Sequence, residues 1–542
     1  SGEMSLTTLS LSPVATYAGE NYRFRAGGIG QIRGWQDQRA SRTEERALFA
    51  DASHAAASGT ARGLRRSFSH ASRDVSSQHG NLAMFTEGRW WVTPSFRITV
   101  EGRVDLEYLP REELQRNPLW ADLTGIESAS TGSDESQWSP AAELRWEPAD
   151  LPGWSVTLSG KRQPGAMDPS LMGTIVSEWG PTVSRVGVTA AVRSEGNQFH
   201  LLGPNFRAPR GEVFVAQVEG RLLPSLRVGL DIFQHQSDFL PRRRDLNRSP
   251  GSGVMDQFGR SHVGTLVRQD GLILIRPGSD RRFQAFDEVW AVESDGWART
   301  RGLAIGATWE APGLLLEGNY TASSTMDNAP FGLTGMSNPL TGSLGPNLGD
   351  ADWVEGRSDL DRPHRVSLLG IAELPLGTDT RVSWNYRITS GRPFSAGVRD
   401  ALGFEWEEGW TRLQPVALPD GQALPRSGDG WSCDLATSTS GRLERNSCRG
   451  SAVHTLDLRL DLGLPDMGGH ALSLRLEALN LLDQVEVLRD PALAVVDGSR
   501  PFSLDATGTR VTLPVLENAT FGEPLARLPG GRSLRFGIEY RF

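Results

Sequence analysis

The stretch FRITVEGRVDLEY, residues 96–108, alternates without a break. Phe96, Ile98, Val100, Gly102, Val104, Leu106 and Tyr108 fall on one side of an extended chain. Arg97, Thr99, Glu101, Arg103, Asp105 and Glu107 fall on the other, because side chains along a strand point alternately to opposite faces. The apolar face needs a greasy cover, and the charged face needs water or polar partners. One strand of a soluble sandwich meets both demands, and so does one stave of a barrel with lipid outside and water inside. The same rhythm recurs in WSVTLSGK (154–161), SLRVGLDIF (225–233), RVSWNYRI (381–388), HTLDLRLDLGL (454–464) and ALSLRLEAL (471–479). It closes the chain in GRSLRFGIEYRF (531–542), where Leu534, Phe536, Ile538, Tyr540 and Phe542 share a face.

The connections separate the two folds. Short joints rich in Pro, Gly, Asp and Asn link strands in pairs near 94, 150, 224, 312, 376 and 467, with the backbone preferences that turns require. Long polar segments lie between the pairs, at roughly 40–80, 109–138, 234–295, 327–362, 397–453 and 485–530. Short turns at one end and long loops at the other are the asymmetry of a transmembrane antiparallel β-barrel, with periplasmic turns and extracellular loops. Trp90, Trp91, Trp146, Trp154 and Trp309 sit near the short turns, where indole rings prefer the membrane boundary. A mean hydropathy of -0.34 and a content of 38% hydrophobic residues do not conflict with this all-β reading, since every second residue of such a strand faces a polar lumen. No run of ~18 apolar residues suggests a membrane helix.

About fifteen strands are expected, the first ones near 5–17 and 22–35. Closed single-chain bacterial barrels have an even number, so a further strand is expected before residue 1 or inside 40–80. The whole of 1–542 reads as one β-barrel domain, incomplete at its N-terminus, with GRSLRFGIEYRF as the strand that closes the seam. SGEMSLTTLS carries no basic stretch followed by an apolar segment, so a leader is expected to have been removed or to lie upstream.

The chemistry-bearing residues are few. The two cysteines, Cys433 and Cys448, lie in a polar segment and suggest a local disulfide formed in an oxidising compartment. Two thiols are too few for a zinc site. A formal net charge of -9 argues against nucleic acid as a partner. No nucleophile–base motif, metal-binding motif or phosphate loop occurs in a suitable context, so neither an enzyme nor a cofactor is expected. His364 and His454 read as structural hydrogen-bonding residues rather than pocket ligands. NLGDADWVEGRSDLD (347–361) offers oxygen ligands for calcium without EF-hand spacing. The aromatic-rich RRFQAFDEVWAVESDGW (281–297) serves either ligand contact or loop ordering. Arg97, Glu101, Arg103, Asp105 and Glu107 read as a mutually paired lumen wall, or as the surface on which a plug docks.

Particular strings carry a resemblance. NLAMFTEGRWWVTPSFRITVEGRVDLEYLP (81–110), SPAAELRWEP (139–148), FLPRRRDLNR (239–248), SDLDRPHRVSLLGIAELP (358–375), RITSGRPFSAG (387–397) and LRLEALNLLDQ (474–484), followed by a strand ending in Phe542, resemble the C-terminal barrel of TonB-dependent outer-membrane receptors. The likeness is to the Oar-like branch, whose members begin with a carboxypeptidase-regulatory-like domain. The resemblance implies a 22-stranded barrel in the bacterial outer membrane, contacts with membrane lipid, a plug domain and the TonB energy-coupling system. It also implies recognition of the last strand by barrel assembly machinery, and uptake of a scarce solute captured as an extracellular ligand. This sequence contains neither a recognisable plug nor a TonB box. The alternative function is a surface, adhesive or structural barrel without active transport.

Overall fold

In the computed structural model the alternating stretches are the staves of one antiparallel sheet. The structure describes residues 2–39, 42–49, 63–70, 73–108, 135–165, 182–188, 191–202, 207–246, 254–259, 261–262, 265–269, 272–276, 288–328, 355–376, 379–399, 427–434, 443–464, 471–497, 500–528 and 530–541. The staves are β1 (Gly2–Leu11) with β2 (Val14–Ala18), β3 (Tyr22–Arg39), β4 (Arg73–Thr93), β5 (Phe96–Tyr108), β6 (Glu135–Trp146) and β7 (Ser155–Pro164). They continue as β8 (Arg210–Leu223), β9 (Leu226–Asp245), β10 (Glu288–Ala311), β11 (Leu314–Asp327), β12 (His364–Leu374) and β13 (Thr380–Thr389). The last are β14 (Val453–Gly463), β15 (Ala471–Leu479) and β16 (Ser533–Arg541). β1 and β2 are halves of one stave, both paired with β3. The break falls at Pro13, which has no N–H to give the ladder.

Each stave pairs with the next in chain order, from β3 through β16. All the short connections therefore lie at one end and all the long ones at the other. One long connection, 165–209, was not among those expected from the sequence. Within it, Thr182–Val188 and Ala191–Leu202 add to the same sheet, as does the hairpin Arg42–Phe49 with Gly63–His70. β9 runs for 20 residues and β10 for 24, whereas a tilted strand crosses a bilayer in about 9–11. Their upper halves, read from sequence as loop, continue the ladder beyond the membrane.

The register sorts the faces. Leu82, Met84, Trp90 and Val92 of β4 share the outer face with Val100 and Leu106 of β5, and all are exposed. On β16, Leu534, Phe536, Ile538 and Tyr540 are 55–74% exposed; Phe542 lies outside the described residues. Trp90, Trp146 and Trp309 face outward beside the turns, as a boundary girdle requires. Trp91 does not join them: it follows Trp90 directly and pairs with Arg97 on the inner face. Aromatic rings cover glycines on neighbouring strands. A Cβ on Gly370 would lie 2.0 Å from the Trp384 ring, and one on Gly220 2.1 Å from that of Trp154. The missing side chain gives each ring its seat and leaves no void over the strand.

The sequence reading has β16 closing a seam against the first stave. Among the described residues, β16 pairs with β15 alone, and β1 and β2 pair only with β3. Fifteen staves remain when the loop strands are set aside from the 21-stranded sheet and its broken first stave is counted once. Among the described residues, no ladder joins β16 to the first stave.

Candidate functional site

Two polar surfaces are candidates: the inner face of the staves, and the rim where four long connections meet.

On the inner face, charges pair locally. Arg97 donates to Glu143 at 2.9 Å, and Arg103 grips Asp105 with two bonds of 2.7 and 2.6 Å. Glu101 shares this face, opposite Glu87 and Ala141. Glu107 pairs with Asn81 and Glu135 in the ladder; of its side chain nothing is described. Further along, Arg145 lies between Glu147 (2.7 Å) and Glu219 (3.7 Å), Arg387 bonds Asp457 (2.8 Å), and Asp461 accepts from Arg459 and Arg475 at 2.7 and 2.9 Å. The four assigned carboxylates and guanidinium groups of β5 with described side chains are thus part of a wall of mixed sign. The wall is not fully satisfied. Arg97 Nε, Thr99 Oγ1, Gln137 Oε1, Ser139 Oγ, Thr157 Oγ1, Asp231 Oδ1 and Asn385 Oδ1 are buried atoms of this face without a hydrogen-bond partner among the described residues. Buried polar atoms left unmatched require water or a polar partner.

At the rim, the strings that carry the family resemblance become a buried network. Asp361 accepts from the Thr325 backbone N–H at 2.8 Å and from Arg449 at 2.6 Å. Arg449 also donates to the carbonyls of Asp361 and Gly391, both at 2.9 Å. A Cβ on Gly391 would lie 2.1 Å from the Gly450 carbonyl oxygen, so only glycine allows this approach. Arg362 and Arg392 both bind Glu486. Arg445, buried, forms an ion pair with buried Asp327 at the end of β11 and donates to the Arg357 carbonyl. Asn446, at φ 58°, donates to the Arg357 carbonyl and to Asp359, both at 2.7 Å. Burial raises the pKa of Asp359 against the opposing pull of Arg445 and Asn446. Burial likewise lowers Arg362 and Arg449, although Glu486 and Asp361 favour their charged forms.

Above the network the connections share an apolar core of Phe258, Phe394, Trp431, Leu443, Leu513 and Phe521 with smaller residues. Trp431 meets Phe521 edge-on at 5.1 Å. Gly522, at φ 77°, passes so close that a Cβ would lie 2.3 Å from the indole. Short strands surround this core, among them Trp431–Cys433 paired with Cys448–Gly450. Cys433 and Cys448 face each other in that pairing and form a disulfide. The described parts of these connections therefore form a folded cap and not a set of separate loops.

Other residues singled out from the sequence take structural places. His364 bonds the Tyr320 hydroxyl at 2.9 Å and His454 that of Tyr386 at 2.8 Å, all four on the outward register. Asp359 and Asp361 from the acidic string are held by Asn446 and Arg449, while 347–354 lies outside the described residues. Among the described residues no three His, Cys, Asp or Glu converge as metal ligands. Of the aromatic string, 281–287 lies outside the described residues. The sequence reading missed Arg445, Asn446 and Arg449, although they flank Cys448 in RNSCRG; a disulfide that closes a loop was the signal that this segment is ordered. In FLPRRRDLNR, Phe239 takes φ 61° at a bulge and stacks under Arg207, 3.9 Å from its ring centre.

Comparison with known proteins agrees with this architecture. A family model described as "Outer membrane beta barrel domain" matches residues 151–502. The outer membrane transporter YddB from Escherichia coli superposes with a TM-score of 0.53 at 9% identity, over 99% of this chain and 54% of that one. The ferripyoverdine receptor of Pseudomonas aeruginosa gives 0.46 at 12% identity, over 99% and 48%. The siderophore receptor PiuA from Acinetobacter baumannii gives 0.46 at 8%, over 100% and 56%. The chain spans about half the length of these solved structures. A search of curated protein sequences gives no match.

Proposed function

We propose that this chain, which belongs to the outer membrane beta-barrel domain family and lies in the bacterial outer membrane, is the barrel of a TonB-dependent receptor that takes up a scarce solute. It acts as a transporter and not as an enzyme. The observation that carries this reading is the inner wall. Its charges are paired among themselves, which suits a surface that must release what it holds. Its unmatched atoms, from Arg97 to Asn385, supply the polar contacts for a plug domain. Arg97, Glu101, Arg103, Asp105 and Glu107 belong to that docking surface. The fold likeness to the YddB transporter and the motif strings support the same assignment.

Partners follow from the reading: outer-membrane lipid, a plug, the TonB system, assembly machinery that engages the strand ending at Phe542, and an extracellular ligand met by the cap. The welded cap favours a second reading, a surface platform that needs no passage through the barrel. The two part company in the native product. Intact mass and N-terminal sequencing of the protein from outer membranes should reveal a plug-sized segment and a TonB box ahead of Ser1. A membrane-inserted native product that begins at Ser1 would sink the transport reading.

A further inference from the structure

The outward face carries a feature that solute uptake does not use. A shallow depression of about 660 Å³ lies across β6, β7, β8 and β9, with a floor that includes Ala142, Leu158, Phe214, Ala216 and Ile232. Gly160 seats the Phe214 ring in the floor: the ring lies over that position, 3.1 Å from where a Cβ would stand. Arg301 of β10 and Gln234 of β9, paired in the ladder, line its upper end. Arg299 lies one outward position higher, with its guanidinium 4.7 Å from the Trp297 ring centre.

The charges around this end are unbalanced. Of the outward carboxylates nearby, Glu212 is bound by Arg162 at 2.8 Å, and Asp238 is met by Arg210 at 3.7 Å and by Gln236. Arg299 and Arg301 are exposed and make no ion pair among the described residues. Their height is set by β10, whose outward face runs from Trp309 at the turn end through Ile305 and Leu303 to Arg301. Eight residues of a tilted strand rise about 20 Å and ten about 25 Å, which brings Arg301 just inside, and Arg299 to, the outer boundary of an apolar band about 25 Å tall. A cation there stands beside headgroups, directly above a groove open to acyl chains.

The geometry points to a binding site for a phosphorylated lipid of the outer leaflet, its phosphate on Arg299 and Arg301 and an acyl chain in the groove. The apolar floor takes the chain by burial, and the two guanidinium groups take the phosphate through charge-assisted bonds. The site is independent of the lumen, so it holds whether or not the barrel transports a solute.

The test is native mass spectrometry of the full protein, isolated in mild detergent and titrated with diphosphorylated lipid A. Dephosphorylated lipid A and phosphatidylethanolamine are the comparators. The expected result is retention of the phosphorylated lipid, with affinity about tenfold or more lower in R299Q/R301Q. A216F, which fills the groove and leaves both arginines, should also weaken binding. Both variants are checked for native heat-modifiable migration, which reports a folded barrel. Equal retention of the dephosphorylated lipid overturns the proposal. Unchanged affinity in either folded variant overturns it as well, because the site is defined by both halves.

Discussion

Asp327 and Arg445 are 118 positions apart and both almost wholly buried, so each is the answer to the other's charge. Removing one partner of a buried pair leaves an uncompensated ion, at a cost of about 3 kcal/mol or more. Asp327→Asn should therefore loosen the cap by about that amount and leave the staves intact. Hydrogen exchange resolved by segment reads this directly, and equal protection of Cys448–Gly450 in wild type and variant would refute it. Asp359 beside them makes a pH prediction. Its pKa is raised above the ordinary 3.8 by burial. As pH rises through that window the unfolded chain gives up the proton while the cap retains it. The contribution of this group is thus fully present below 3.8 and is lost as pH climbs through the raised value. Asp359→Asn keeps an acceptor for Asn446 and removes that loss, so the variant cap should resist protease better at neutral pH and equally at low pH. Identical pH profiles of nicking would count against it. These residues were hidden in the sequence because a buried ion pair leaves no periodic trace. Arg97, Arg103 and Asp105 were readable because strand alternation alone assigns them a face.

At the scale of elements, legibility depended on length. A stave of nine or more residues displays its period several times, and β5, β13, β14 and β15 stand where the alternation put them. The cap strands run for two to five residues, as at Pro393–Phe394, Trp431–Cys433 and Ala492–Val496, which is too short for any period to emerge. They hold together through the shared core and the Cys433–Cys448 bridge instead. That bridge spans 15 positions, and a loop of that size gains about 3 kcal/mol from closure. Cys433→Ser with Cys448→Ser should lower the stability of the cap by about that amount, seen as faster exchange across Trp431–Cys433 and Cys448–Gly450. β12, β13 and β14 should remain unchanged, because their ladders do not pass through the cap sheet. Trp431→Ala attacks the same unit from its core, where loss of a large buried ring costs about 3–5 kcal/mol. If melting of the staves followed the cap in either variant, the cap would not be a separate cooperative unit.

For the whole molecule, the decisive question is what β16 and the first stave pair with, since no ladder joins them among the described residues. Alternate backbone groups of β16 point away from β15, and those of the first stave point away from β3. Several of their neighbours, Leu534, Phe536 and Ile538 on one side and Leu9, Leu11 and Tyr17 on the other, are exposed apolar residues suited to lipid. Hydrocarbon offers no hydrogen bonds, and each unmatched group there costs several kcal/mol. In the membrane both edges must therefore be paired, with each other or with further strands. Parity bears on the same point, since the fifteen described staves cannot by themselves close an up-and-down barrel with every neighbour antiparallel. What each of these strands pairs with on its outer side is not written in alternation, which reports faces and never partners. The expected outcome is that residues 1–542, refolded alone in detergent micelles, do not yield the compact monomeric form that resists SDS without heating. The native outer-membrane product should yield it. A compact, SDS-resistant monomer from residues 1–542 alone would mean that β16 and the first stave meet directly, and that the two edges are joined within this chain.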